Sequence, residues 1–353
     1  MPIIDSDTHV IETERTWDYM AESEAPFRPK SLVPSDPPPK EVRGGHEFWM
    51  IDGKLHPRRD NIGAQTTEAA REMADVEERL RHMDTLGVDV QILFPTVFLE
   101  PITDRPEVEV ALCRSYNRWM ADIWRQGKGR LRWTVVLPWY SLDKAVDELR
   151  FGKENGACGI FARYAEAGRP LNAPYFYPVY QEANALNLPV CVHASTGTFA
   201  THELFNRAGS VPKFKLGPIG AFHTIAVSKI PDLFPNLRFG FLEVQAQWIP
   251  YICHDLYRRS KANLPSAPAY QTTWWKDGLL RQRRLYVACQ TDDDLPYVLQ
   301  YAGQDNLVVG SDYGHNDTSS EIEALGNLQK KGDVDASAIN KILYDNAKAL
   351  YAL

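Results

Sequence analysis

Pro2-Ile-Ile-Asp5-Ser-Asp7-Thr-His9-Val-Ile-Glu12 opens the chain with an apolar run that ends in an acid, one spacer and a histidine. Residues two apart on a strand face the same side, so Asp7 and His9 aim a carboxylate and an imidazole at one point. Both groups suit a divalent metal. A D-x-H triplet alone is weak evidence, because a turn acid beside a surface histidine gives the same letters. Its weight depends on what stands at the ends of the other apolar runs.

Those runs recur with a regular rhythm. After the first, at 2–10, come strand-like segments at 88–95, 132–138, 157–164, 188–194, 237–244, 285–290 and 307–312. Helical patterns lie between them at 67–86, 106–126, 142–155, 175–187, 220–233, 250–261 and 294–302, and two more at 319–329 and 336–351 close the chain. Gly87 and Gly156 stand where helices should stop. Short, continuously apolar strands are those buried on both faces. Eight of them alternating with helices predict an α/β fold, a closed (β/α)8 TIM-like barrel rather than an open sheet.

Residues 13–75 break the rhythm. They hold Pro34, Pro37, Pro38 and Pro39, then a possible hairpin from His46 to His56 around Asp52-Gly53. This stretch reads as an insertion after strand one, either a partial lid over the barrel mouth or a plain surface excursion. No composition break divides the chain, so residues 1–353 read as one domain.

Composition narrows the function classes. Of 353 residues, 44% are apolar, enough for a large core, and the net charge of −7 gives no footprint for nucleic acid. The five cysteines, Cys113, Cys158, Cys191, Cys253 and Cys289, form no C-x-x-C pair. Neither a disulfide framework nor a thiolate zinc site is indicated. Asp5 and Asp7 interrupt the apolar start, which argues against a signal peptide. No stretch approaches a membrane span, so a cytoplasmic location is the default expectation.

In such a barrel, functional side chains gather at the carboxyl ends of the strands. Strand one ends in Asp7 and His9, strand five in His193, strand six in Glu243 and strand eight in Asp312; strand four adds Arg163 and Tyr164. Each residue singly has a bland explanation. Metal-type residues at the same end of four strands are much harder to dismiss.

At this point the chain resembles the amidohydrolase superfamily, in its amidohydrolase-2 branch of aminocarboxymuconate-semialdehyde decarboxylase-like and γ-resorcylate decarboxylase-like enzymes. The resemblance rests on Ile4-Asp-Ser-Asp-Thr-His9, Pro189-Val-Cys-Val-His193, Phe234-Pro-Asn-Leu-Arg-Phe239, Trp248-Ile-Pro250, Gly310-Ser-Asp312-Tyr and Ile342-Leu-Tyr-Asp-Asn346-Ala-Lys-Ala-Leu350-Tyr. It implies that His9, His193 and Asp312 bind one divalent metal, with Asp7 in place of the first member of an H-x-H or E-x-H pair. Zn²⁺ is the first choice, with Mn²⁺ or Fe²⁺ as alternatives, and a second metal at Glu243 ranks below the single-metal reading. Homodimers are usual in such families.

One departure matters. The decarboxylases carry a histidine just after strand six, and its place here falls on Val244, beside Glu243. Two mechanisms remain. In a hydrolase, a metal-bound water attacks an amide, ester, thioester or lactone of a small cyclic or aromatic acid, with Asp312 or Glu243 as base and Arg163 or His223 steadying the oxyanion. In a carboxy-lyase, Asp312 protonates the ring carbon of an aromatic or unsaturated acid and CO2 leaves. The missing histidine tilts the reading toward hydrolysis. A third reading, of another class, is a metal-free ligand-binding barrel.

Further candidates are weaker. His202 and Trp49 are expected against substrate, with Phe98 and Phe199 as possible walls. His315 reads as a neighbour orienting Asp312, while His254 reads as part of the outer helical ring. His46, His56, Arg58 and Arg59 belong to the insertion.

Overall fold

The computed structural model describes residues 2–33, 47–58, 61–205, 211–261 and 278–353. The proline run at 34–39, His46, Arg59 and the stretch with Trp274 and Trp275 lie outside the described residues.

All eight expected strands are present and hydrogen-bonded in chain order. They are β1 Ile4–His9, β2 Val90–Phe94, β3 Leu131–Val136, β4 Ala157–Ala162, β5 Val190–His193, β6 Phe239–Leu242, β7 Leu285–Cys289 and β8 Leu307–Val309. These strands pair with their neighbours in parallel. Only Val90 and Arg132 among the strand residues are less than fully buried. That explains the continuous apolar runs: inner side chains fill the barrel and outer ones meet the helices. The five cysteines are free and buried. No helix of the described residues is long and apolar enough to cross a membrane.

The helices follow the expected order with local differences. The pattern over 67–86 divides into Glu68–Arg71 and Val76–Leu86. Met73 has a φ of 53°, and the Asp75 side chain caps the second helix at Glu78 N. The pattern over 220–233 becomes Leu216–Val227 and Ile230–Leu233, with extended Ser228 between them. Of 319–329 only Ala324–Lys330 is helical. Hydrophobic spacing overruns such breaks because caps and left-handed residues leave it intact.

Closure of the barrel rests on a short seam between β8 and β1. Asp312 N donates to Asp7 O at 2.9 Å and His9 N to Tyr313 O at 2.8 Å. Ser311 donates from N and Oγ to the two oxygens of buried Asp5, at 2.9 and 2.5 Å. Burial raises the Asp5 carboxyl to about 7. Beneath the seam, Arg79 is wholly buried, bonded to His9 O at 3.2 Å and Gln91 Oε1 at 2.6 Å, with its guanidinium 3.5 Å from the Tyr313 ring centre.

The excursion after β1 carries two turns of 3₁₀ helix, Glu14–Trp17 and Glu22–Phe27, and a small antiparallel sheet of Lys30–Leu32, Glu47–Ile51 and Lys54–Arg58. Asp52 and Gly53, at φ 49° and 78°, make the two-residue hairpin turn that the D-G pair signals. Trp49 meets Trp17 edge-on at 6.0 Å, and Arg58 bonds Glu14 at 3.0 Å, which fastens the sheet to the first part of the chain.

Gly310 is where the seam is tightest. A Cβ there would lie 2.3 Å from Asp7 Cβ and 2.9 Å from Asp7 N. Gly310→Ala must therefore push β8 off β1, and the expected loss is about 1–3 kcal/mol or more. Urea or thermal unfolding reads it, and an unchanged midpoint would refute this account of the seam.

Candidate metal centre

The seam brings two strand ends together and the β5 end lies opposite. His193 Nε2 is 3.0 Å from Asp7 Oδ1. His9 Nε2 is 3.5 Å from Asp7 Oδ1 and 3.4 Å from Asp312 Oδ1. All four side chains are buried. Ligand-type atoms of Asp7, His9 and His193, and separately of His9, Asp312 and His315, lie within 4.8 Å of one another.

The His9 ring shows what this arrangement suits. Its Nδ1 is 3.0 Å from Pro95 O, which can only accept, so Nδ1 carries the proton. Nε2 then presents a lone pair. It is buried without a hydrogen-bond partner and faces two carboxylates. A lone pair among anions is unfavourable unless a cation sits between them. Burial, with the charge of His315, pushes His9 down to about 4, which keeps the ring neutral at ordinary pH. The donor set is two imidazoles and two carboxylates without sulfur, a fit for one divalent ion.

The charge pattern is consistent with that. Burial alone would raise the Asp7 carboxyl, yet His193 and His9 hold it far below the usual range. Burial opposes charge on His193, but Asp7 carries its pKa above the ordinary value. Burial, and then Asp312, Asp317 and Asp7, push the Glu243 carboxyl well up. Glu243 Oε2 is 3.3 Å from His193 Nδ1. Glu243 and Asp312 sit at φ 59° and 53°. Left-handed backbone in non-glycine residues is strained, and it aims both carboxyls off their strand ends.

A proton is held beside this cluster. Thr96 Oγ1 donates to Val10 O at 2.8 Å, so it accepts from His315 Nε2 at 3.0 Å. His315 Nδ1 meets Asp312 Oδ1 at 2.9 Å, and Ser320 Oγ donates to Asp312 Oδ2 at 2.6 Å. With Nε2 already donating, the Asp312–His315 contact holds one further proton, as imidazolium with carboxylate or as imidazole with carboxylic acid. The His315 ring also stacks on His9 at 3.9 Å.

Above lies a cavity of about 560 Å³. Glu243 and His315 face it, Trp49, His56 and Arg58 bring the inserted hairpin to its wall, and Phe214 and Lys215 come from the segment after β5.

The remaining expected residues lie elsewhere. The Arg163 guanidinium bonds Glu166 Oε2 at 2.5 Å and the carbonyls of Phe98 and Glu100, both at 3.2 Å, so it braces a loop. The Tyr164 ring packs on Gly197 and Gly217 and is not part of the cavity wall. His202 Nδ1 is 3.4 Å from Glu100 Oε1, one layer behind the wall. His223 Nε2 is 3.7 Å from Asp255 of the outer helix Ile249–Lys261, away from the cluster. Phe98 packs on Tyr116, and His254 meets Tyr301 OH at 3.0 Å. Sequence reasoning passed over Thr96, Glu12 and Lys215. Thr96 stands two residues past the β2 end and was open to the same strand-end reading. Glu12, which accepts from Thr96 N and Val97 N, and Lys215 carry no local signal.

Two outcomes follow from this geometry. His193→Ala should lose the divalent metal held by wild type, about one per chain, as read by elemental analysis; undiminished metal would refute the ligand set. The second concerns Glu109, behind Arg163, whose carboxylate accepts from Tyr140 N at 2.8 Å and is raised to about 8 by burial. A raised carboxyl stabilises the fold at low pH, and that contribution is lost as pH rises through about 8. Glu109→Gln should flatten the fall in melting temperature between pH 5 and about 8.5.

Comparison with known proteins agrees with the fold. A family model described as amidohydrolase matches residues 4–353. An amidohydrolase from Mycobacterium avium subsp. paratuberculosis superposes with a TM-score of 0.75 at 18% identity, covering 100% of this chain and 98% of the other. For 5-carboxyvanillate decarboxylase from Sphingomonas paucimobilis the values are 0.69, 15%, 100% and 99%. A variant of the Novosphingobium aromaticivorans 5-carboxyvanillate decarboxylase, solved with bound manganese, gives 0.65, 20%, 79% and 82%. With the match running over nearly its whole length, this chain belongs to the amidohydrolase family and is an enzyme of that superfamily.

Proposed function

We propose that this enzyme is a metal-dependent, non-oxidative carboxy-lyase acting on an aromatic carboxylic acid. The observation that carries the reading is the proton held between Asp312 and His315 beside a metal-type cluster, at a cavity walled in part by Trp49 and Phe214. Relatives of the same fold named as 5-carboxyvanillate decarboxylases support it. A divalent ion held by Asp7, His9, His193 and Asp312 would supply Lewis acidity to the carboxylate and a neighbouring oxygen of the arene. The manganese in one relative favours Mn²⁺ beside Zn²⁺.

The chain's own groups do the rest. Asp312 delivers a proton to the ring carbon that bears the carboxylate. The bond from that carbon to the carboxylate breaks, its electron pair stays with the ring, and CO2 leaves. His315 steadies the Asp312 carboxylate through Nδ1, and the pair regains its proton from solvent through the cavity. Trp49 and Phe214 exclude water around the ring.

A second reading, hydrolysis of a cyclic or aromatic acid derivative, draws on a specific feature. Buried Val244 and strained Glu243 stand where the decarboxylases carry a histidine. Asp312 would then remove a proton from the attacking water.

Incubating metal-replete enzyme with a panel of aryl acids in D2O separates the two. Carboxy-lyase chemistry releases CO2 and leaves deuterium on the vacated ring carbon. Asp312→Asn should lower that rate by about 10²–10⁴-fold. Cleavage of esters, amides or lactones without CO2 release would replace this reading with the second.

A further inference from the structure

Among the described residues, three lysine or arginine side chains reach the cavity wall: Arg58, Lys213 and Lys215. Two are already neutralised. Arg58 lies 3.0 Å from Glu14 and 3.6 Å from Glu47, with its guanidinium 4.4 Å from the Trp49 ring centre. Lys213 Nζ is 2.7 Å from Glu100 Oε1. Lys215 differs. It closes the turn Val211–Lys215, at the entry to helix Leu216–Val227, and is only 7% exposed. Among the described residues its ammonium makes no hydrogen bond and no ion pair, and its charge acts only from beyond ion-pair distance on Glu243 of the same wall.

A cation on the wall of a largely enclosed cavity, left without a direct ion-pair partner, is a ready anchor for an anionic ligand. We infer that Lys215 is the docking point for a carboxylate of the substrate that does not react, so that the substrate is a planar aromatic acid carrying a second anionic group. The inference rests on reading the cavity as the site of an aromatic acid. The reacting carboxylate belongs at the Asp7, His9, His193 and Asp312 cluster. Lys215 is contributed by a different segment, the one after β5. Ile11, Val97, Leu99 and Phe214 add apolar surface to the same cavity, fit for the ring that joins the two charged ends. An ammonium suits this task because it is a compact point charge that takes a carboxylate from several directions.

The test uses holoenzyme and two probes, isophthalate and 3-carbamoylbenzoate. They share one carboxylate and a similar shape, and differ in whether the second group is charged. Calorimetric titration of wild type should show the diacid bound about tenfold or more tighter, the size expected of a charge-assisted hydrogen bond. Lys215→Met should reduce that preference to within about twofold, and Lys215→Arg should restore part of it. Melting temperature and metal content are measured on each variant. Lost preference with both unchanged supports the docking role. A preference that persists in Lys215→Met overturns it, as does wild type that binds both probes alike. Equal weakening of both probes in Lys215→Met also overturns it and marks Lys215 as structural. A diacid preference without CO2 release from any aryl acid would leave the docking role standing and remove the carboxy-lyase reading. CO2 release with the preference intact in Lys215→Met would do the reverse.

Discussion

The Asp5–Ser311 contact, with the backbone bonds that flank it, is the constraint on which the rest depends. Most of the sheet is a ladder of long parallel pairings, but β8 joins β1 through only a few bonds. A buried carboxylate receiving both the N–H and the O–H of one serine strengthens that short join. Gly310 lets the strands come close enough to make it. Once the seam is closed, Asp7, His9 and Asp312 share one small volume. Without it, the first and last strands of the barrel have no reason to place ligands together.

The cluster shows the expense of such a site. Carboxylates and imidazoles lie buried within a few ångströms, with two acids in left-handed backbone. Like charges in low dielectric repel, and the chain relieves this by sharing protons. Asp7 stays charged against His193, His9 stays neutral with its lone pair inward, and Asp312 shares a proton with His315. A cation at the centre would resolve the same conflict more completely. Strain and charge concentrated at one point are what a functional site looks like when the surrounding fold is rigid enough to hold them.

Elsewhere, buried charge is used for construction. Arg163 with Glu166, and Arg79 beneath the seam, each satisfy loop or strand carbonyls that the barrel could not otherwise pair. A cationic residue near a strand end is therefore ambiguous. Arg163 looks like a substrate clamp by position and works as a brace. Lys215 has no such position and faces the cavity without a direct ion-pair partner.

What the sequence by itself determined is the part written in local pattern. Eight apolar runs alternating with helical spacing specify the barrel, because burial on both faces leaves no other composition for the strands. The barrel's geometry in turn points Asp7, His9, His193, Glu243 and Asp312 to one end. Tertiary structure decided which polar groups are free to act. His223 is turned to Asp255, His202 to Glu100 and Arg58 to Glu14, while His315 is drawn to Asp312 and Thr96. Apart from the near neighbours His315 and Asp312, these partners lie far apart in the chain and meet only in the folded protein. Local spacing carries no trace of such pairings, so the neutralised and the unneutralised cations look alike until the fold is seen.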